Sequence, residues 1–484
     1  MFDLAHESFA KHGDSFFLEE SGGVLIIPKA LWEKEHGGIQ KKRQFLFSQR
    51  EKVLGEVVPQ LQTPDSFSLR HDLPNEAVLL TEKTTVTLSN IEISSQLFFV
   101  LVEKTKVTIG ENLSITEHTD NEDCIRESGM ARNSPVWLRR NKRSEAVSSL
   151  ALENIERMSP SSIGCVLKEV NLHNTGLGNI LPKLRIHEDS EVEWLWVTAD
   201  EKEHVAGILE QEKAFCVGRV RSMWLEGYAV SILPKMRISE DCEVEDLRVD
   251  AGRKEHVAVV LGQEKTFCVG RVKNVFLEDY AVSILPRLIL HEDCEVERLG
   301  LYAREEEHVA VVLGQEKAFC VGGAKRVEFY EYAACVVAKL RIKEGSEVES
   351  LGLYASRKEH VAAVLGQENP FCAGRVKNMS LQGYAASVIT KMRVKEGSIT
   401  EGFVLDGEMK FFSRILEEGD RSIELGRIRR SGFRVPKEIR RKLRYTLVDE
   451  EGKEVLGENI SIRKRERLLL VLLLVICFSY YHWL

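Results

Sequence analysis

The chain has 484 residues, 43% of them hydrophobic and 29% charged, which is enough apolar material for a core and no general signature of disorder. Its formal net charge of −8 argues against nucleic-acid binding, which needs a concentrated basic surface. The opening MFDLAHESFAKHGDSFF lacks a basic stretch followed by an apolar core, so no secretory signal is read and the ten cysteines are expected as thiols in a reducing compartment.

Residues 1–117 read as a β-rich region. GGVLIIP is expected as a strand and ALWEKEH as a helix. Thr81–Ile93 and Val102–Ile115 resemble one another at an offset of 21 and alternate Thr, Val and Ile, as strands do. They are either worn repeats or a separate β domain. Residues 118–146 are polar and broken and read as a linker or exposed loop.

From 147 to 410 the sequence repeats. The tetrapeptide EHVA places His204, His256, His308 and His360 at steps of 52 residues, and the same step relates Cys216, Cys268, Cys320 and Cys372. Each block divides into two halves. One carries VEWLWV, VEDLRV, VERLGL or VESLGL; the other carries VRSMWL, VKNVFL, AKRVEF or VKNMSL. All eight fit apolar-x-x-apolar-x-apolar, and their starts alternate by 28 and 24 residues, a mean of 26. A ninth, LKEVNLHNTGL, continues the frame upstream. Each unit is expected as a short strand, a bend and a return. The return is a short amphipathic helix at EHVAVVLGQE and a one-turn helix or turn at YAVSILPRL. A single unit cannot bury its apolar side, but stacked units share a core.

The frame with its returning helix resembles the leucine-rich repeat family, most closely at Leu167, Val170, Leu172, Asn174 and Leu177. The resemblance implies an α/β solenoid, a horseshoe with parallel strands on its concave face, and binding of other proteins along that face. The family's Asn or Cys after the strand is mostly missing, and Tyr228, Tyr280, Tyr332 and Tyr384 stand in that neighbourhood.

Residues 411–462 read as a cap: a strand at FRV, a helix at PKEIRRKL and a hairpin at Asp449–Gly452. RVPKEIRRKL is also similar to the strand-Pro-helix of swapped-hairpin DNA-binding domains, over about ten residues. In 463–484 the basic RKRER precedes Leu468–Leu484, 17 residues free of Asp, Glu, Lys and Arg. At about 1.5 Å per residue a helix there spans roughly 25 Å, and aromatic residues stand at its end, as in an interfacial belt. The expectation is a single C-terminal pass through an intracellular membrane, the lipid bilayer being a partner of this segment and the bulk of the chain cytosolic.

Candidate chemistry is sparse. Histidines two strands apart are separated by roughly 10 Å, whereas zinc ligands lie within about 4 Å of one another, so the EHVA histidines read as packing. Cys216, Cys242, Cys268, Cys294 and Cys320 step by 26 and read as a packing column. No phosphate loop, GxSxG elbow, HExxH or paired-acid motif is found, and no metal or cofactor is expected. The positive signal is on the outward x positions. Glu193 and Glu245 alternate with Arg221 and Lys273, while Trp194, Trp196, Trp224 and Phe276 gather at one end. This set is expected to bind a protein partner, unless an N-terminal segment folds over the aromatics. The function expected is a non-catalytic, membrane-tethered interaction scaffold. An alternative is a leucine-rich-repeat inhibitor or regulator of an enzyme, and a third is an enzyme of unrecognised type.

Overall fold

The computed structural model describes residues 8–20, 22–31, 62–117, 122–128, 135–140, 147–186, 190–212, 214–238, 242–263, 266–289, 296–315, 319–321, 324–342, 347–394 and 397–455. The chain divides into two compact units, Met1–Arg271 and Val272–Leu484.

The first unit opens with four antiparallel strands in the order Ala10–His12, Ser15–Glu20, Gly23–Pro28, Val78–Thr81. The expected ALWEKEH helix falls outside the described residues beyond Leu31. Next come parallel strands. Ser66–Leu69, Thr85–Leu88 and Lys106–Ile109 stand side by side, with Val86 opposite Val107. The two segments similar at an offset of 21 are thus parallel neighbours. Two serine-capped helices cover them. Ser94 Oγ accepts from the Leu97 amide and Ser148 Oγ from the Ala151 amide. Fully buried Asn154 joins the two layers, donating to the Val102 and Thr105 carbonyls and accepting from the Val107 amide.

Residues 118–146 are not simply a linker. Ile125–Glu127 and Val136–Arg140 are strands, and the latter pairs in parallel with Leu167–His173. The physical reason lies in VWLRR: Val136 and Leu138 are buried at alternate positions, which the polar flanks conceal in the sequence.

Twelve parallel strands follow the repeat frame, five in the first unit and seven in the second. The first unit holds Val136–Arg140, Leu167–His173, Glu191–Ala199, Arg219–Gly227 and Glu243–Ala251. The second holds Arg271–Asp279, Arg298–Ala303, Arg326–Glu331, Val348–Ala355, Val376–Gly383, Gly402–Asp406 and Phe433–Arg434. This is a repetitive, solenoid-like α/β architecture. The three apolar positions of the frame point inward: Val192, Leu195 and Val197 in one strand, Leu299 and Leu301 in another, are all buried. Each such side chain contributes about 1.5–3 kcal/mol, and Leu299→Ala would cost about 2–5 kcal/mol.

The returns alternate as expected. One is a short 3-10 turn leading into a helix, Lys254–Val257 then Ala258–Leu261. The other is an eight-residue 3-10 helix such as Tyr280–Arg287. Asn174 acts as the turn asparagine, at φ +46° and with Oδ1 accepting from the Asp200 amide. In the later units a different contact replaces it. Tyr228 packs on His256, Tyr280 on His308 and Tyr332 on His360, at ring distances of 4.6, 4.3 and 4.5 Å. Tyr384 packs instead on Phe411. Three of the four EHVA histidines are therefore packing partners of the tyrosine from the preceding half-unit, while His204 has Gly176 in the corresponding place.

The cysteines do not form one column. Cys216 and Cys268 lie on the short strands Phe215–Cys216 and Phe267–Cys268, whereas buried Cys242 precedes a frame strand and donates to the Val220 carbonyl. The step of 26 arises because two unrelated positions, each repeating at 52, interleave. Cys294 lies outside the described residues.

Downstream, Phe433–Arg434, the helix Lys437–Arg440 and the turn at Asp449–Gly452 appear as read, Gly452 N donating to the Asp449 carbonyl. Among the described residues no helix is long and apolar enough to cross a membrane. Leu468–Leu484 lies outside them.

Candidate partner-binding face

The outward positions of the frame form registered columns, because parallel strands place equivalent residues directly opposite one another. In the first unit Trp196 lies opposite Trp224, and their rings stack at 4.4 Å and 3°. His173 meets Trp196 edge-on at 4.3 Å, and the Arg248 guanidinium lies 5.8 Å over Trp224. These contacts leave both tryptophans half-buried. Trp194, two residues earlier on the same face, is 52% exposed. An indole standing so far out of a sheet is the kind of group that anchors an interface.

The acid–base alternation is realised. Lys168 pairs with Glu193 at 2.6 Å and Arg221 with Glu245 at 2.9 Å. The Glu245 carboxylate holds the Arg221 guanidinium above its ordinary range, with Glu193 and Glu191 adding to the effect. Arg221 is thus flanked by acids from both neighbouring strands, an arrangement that favours this register.

Phe276 and Lys273 lie in the second unit. Phe276 stands opposite Gly300, where a Cβ would come within 2.9 Å of the ring, and the Arg298 guanidinium lies 5.2 Å over it. Five of the eight residues singled out in the sequence, Glu193, Trp194, Trp196, Arg221 and Trp224, therefore occupy two adjacent strands of the first unit. Glu245 is on the next strand.

One set went unnoticed in the sequence. Tyr302, Tyr330 and Tyr354 stand opposite one another on three successive strands of the second unit. Tyr330 and Tyr354 stack at 4.6 Å and 9°, with Tyr302 6.3 Å from Tyr330. Arg298 and Glu328 are joined at 2.6 Å beside them. The signal was present as the residue following the third apolar position in GLYA, EFYE and GLYA.

On its helical side the first unit carries a cleft of roughly 620 Å³, lined by Leu152, Ile155, Asn179, Lys183 and Glu210 among others. Burial pushes the Lys183 ammonium below its ordinary range. Its Nζ donates to the Met158 carbonyl at 2.6 Å. The same contact recurs from Lys235 to Gln211, Lys391 to Gln367 and Lys442 to Glu418. Lys183 thus belongs to a repeated device in which an ammonium satisfies the free carbonyls at the end of the preceding helix.

No family model matches this chain, and neither a curated protein nor a solved structure matches it.

Proposed function

We propose that this chain is a non-catalytic protein-interaction scaffold of the leucine-rich-repeat type, binding a protein partner on the outer face of its parallel strands. The observation that carries the reading is Trp194, 52% exposed beside the stacked Trp196 and Trp224. Large aromatic side chains in a patch of this kind dominate binding energies when a partner removes them from water. The ladder of opposite charges alongside would favour one partner over others through charge complementarity.

Affinity capture of partners from the native source tests it. Trp194→Ala, Trp196→Ala and Trp224→Ala together are expected to release them; every partner remaining bound would refute the patch. The tether to an intracellular membrane rests on the sequence of Leu468–Leu484. Full release into the soluble fraction on carbonate extraction would refute that part alone.

A further inference from the structure

The second unit offers a face of different chemistry. Three columns run across its strands Arg298–Ala303, Arg326–Glu331 and Val348–Ala355. The first holds Arg298, Arg326 and Ser350; the second Gly300, Glu328 and Gly352; the third Tyr302, Tyr330 and Tyr354. At Gly352 a Cβ would come within 2.8 Å of the Tyr354 hydroxyl, so the tyrosine ring leans along its own strand, over the glycine and toward the arginine column. The absence of a side chain at Gly352 is what lets this ring lie down.

Two arginines directly opposite one another on adjacent strands repel. Elsewhere in this column the second unit puts Asn274, Ser350, Asn378 and Gly402, none of them charged. The Arg298 charge is taken up by Glu328 at 2.6 Å. Arg326 is exposed and makes no ion pair among the described residues. The first unit pairs Lys168 with Glu193 and Arg221 with Glu245, so a cation left open beside a second cation departs from the rule the repeats otherwise follow. Burial, with the Glu328 carboxylate, raises the Tyr330 hydroxyl above its ordinary range, and burial raises that of Tyr354. Both remain O–H donors at neutral pH and can share an anion with Arg326.

We infer that this face binds an extended acidic peptide segment of a partner protein, one carboxylate meeting the Arg326 guanidinium and an adjacent apolar side chain lying on the stacked rings of Tyr330 and Tyr354. Alternate side chains of an extended peptide stand roughly 7 Å apart on one face. That spacing lets the carboxylate reach the arginine column while the apolar group lies over the middle column, where the Tyr354 ring leans across Gly352. A guanidinium takes a carboxylate bidentately, and the aromatic wall shields that pair from water. The inference rests on the interaction-scaffold reading but on different residues from the tryptophan patch.

The test uses the full chain and labelled octapeptides by fluorescence anisotropy. The probes are two repeats of Glu-Ser-Leu-Ser (Glu-Leu), which puts Glu and Leu by turns on one face of the extended chain, of Lys-Ser-Leu-Ser (Lys-Leu), and of Glu-Ser-Ser-Ser (Glu-Ser), which has the charge without the apolar side chain. Glu-Leu is expected to bind most tightly, with Arg326→Glu and Tyr354→Ala each weakening it tenfold or more and Trp194→Ala leaving it unchanged. Arg326→Gln, an exposed substitution expected to leave the thermal midpoint unchanged, guards against loss through misfolding and should also weaken binding. Equal binding of Lys-Leu, or Glu-Leu binding indifferent to Arg326→Gln, overturns the proposal. Glu-Ser binding as tightly as Glu-Leu, or inorganic phosphate displacing the peptide completely at equal charge, reduces the site to a simple anion site and also overturns it. If Arg326→Gln weakens Glu-Leu while the triple tryptophan variant retains every native partner, the tryptophan reading fails and this one stands.

Discussion

Asp279 holds His308 from a backbone few residues adopt: its carboxylate Oδ1 lies 3.2 Å from the imidazole Nδ1 while its own φ is +54°. Arg304 grips the same carboxylate, Nε donating to Oδ2 at 2.9 Å, and Asp279 is only 2% exposed. The equivalent position is Gly227 in the block before and Gly383 two blocks on, both at positive φ. Glu331 repeats the acidic solution, its carboxylate set against His360 and accepting from the Ser356 hydroxyl at 2.9 Å. Half of the blocks thus use glycine for the turn and half use an acid that the next half-unit rewards with partners.

Asp279→Asn keeps the turn but removes the charge facing Arg304 and His308. It is expected to destabilise the second unit by about 1–3 kcal/mol, since a buried group loses its charged partners. Chemical denaturation of wild type and variant at neutral pH measures this. Unchanged stability would mean that the contacts of the carboxylate with Arg304 and His308 contribute nothing to the fold.

His256 faces Gly227 rather than an acid, and both of its ring nitrogens are buried without a hydrogen-bond partner. Burial, helped by Arg253, pushes its pKa below the ordinary 6.5. The folded state therefore binds the proton less readily than the unfolded one. The stability this contributes is present above the unfolded pKa and is lost as pH falls below about 6.5, at up to about 1.4 kcal/mol per pH unit. His256→Phe should flatten the decline in thermal midpoint between neutral pH and about pH 5. Phe411 already fills the corresponding place against Tyr384. A decline as steep in the variant as in wild type would show that other groups carry it.

The Trp196–Trp224 stack should be energetically coupled. A double-mutant cycle with Trp196→Ala and Trp224→Ala is expected to return a coupling of about 0.5–1.5 kcal/mol beyond the two single losses. Strictly additive losses would mean that the rings only happen to lie side by side.

Lys391 donates to the Gln367 carbonyl at 2.6 Å, just beyond the helix Ala362–Leu365. Lys391→Met retains the stem and removes the donor. It should cost about 0.5–1.5 kcal/mol. It should also speed hydrogen exchange in that helix more than in the strands beside it. Exchange rising equally everywhere would point to global rather than local loosening.

Much of this was legible because solenoid periodicity is redundant. Val192, Leu195 and Val197 follow a pattern repeated in the other strands, so a single irregular strand could not hide it. The pairs Lys168–Glu193 and Arg221–Glu245 were readable as soon as neighbouring strands were aligned. Val136–Arg140 was not, because one strand between polar segments carries no period. The tyrosine column was missed for a related reason. Tyr302, Tyr330 and Tyr354 occur in only three strands, and their importance depends on Gly352 leaving room, a relationship between positions rather than a residue type. The cysteine step of 26 misled because equal spacing does not imply equal environment when two kinds of half-unit alternate.

The tyrosine–histidine contact has a consequence for how such a chain can change length. Tyr280 belongs to one kind of half-unit and His308 to the other, so each contact spans a junction between unlike halves. Deleting one half-unit, a single strand and its return of 24 or 28 residues, would bring like halves together. A tyrosine would then face no histidine, and acids would line up against acids. Deleting or duplicating 52 residues preserves every junction. The double block is therefore the smallest increment by which this chain can be shortened or extended without leaving a mismatched seam.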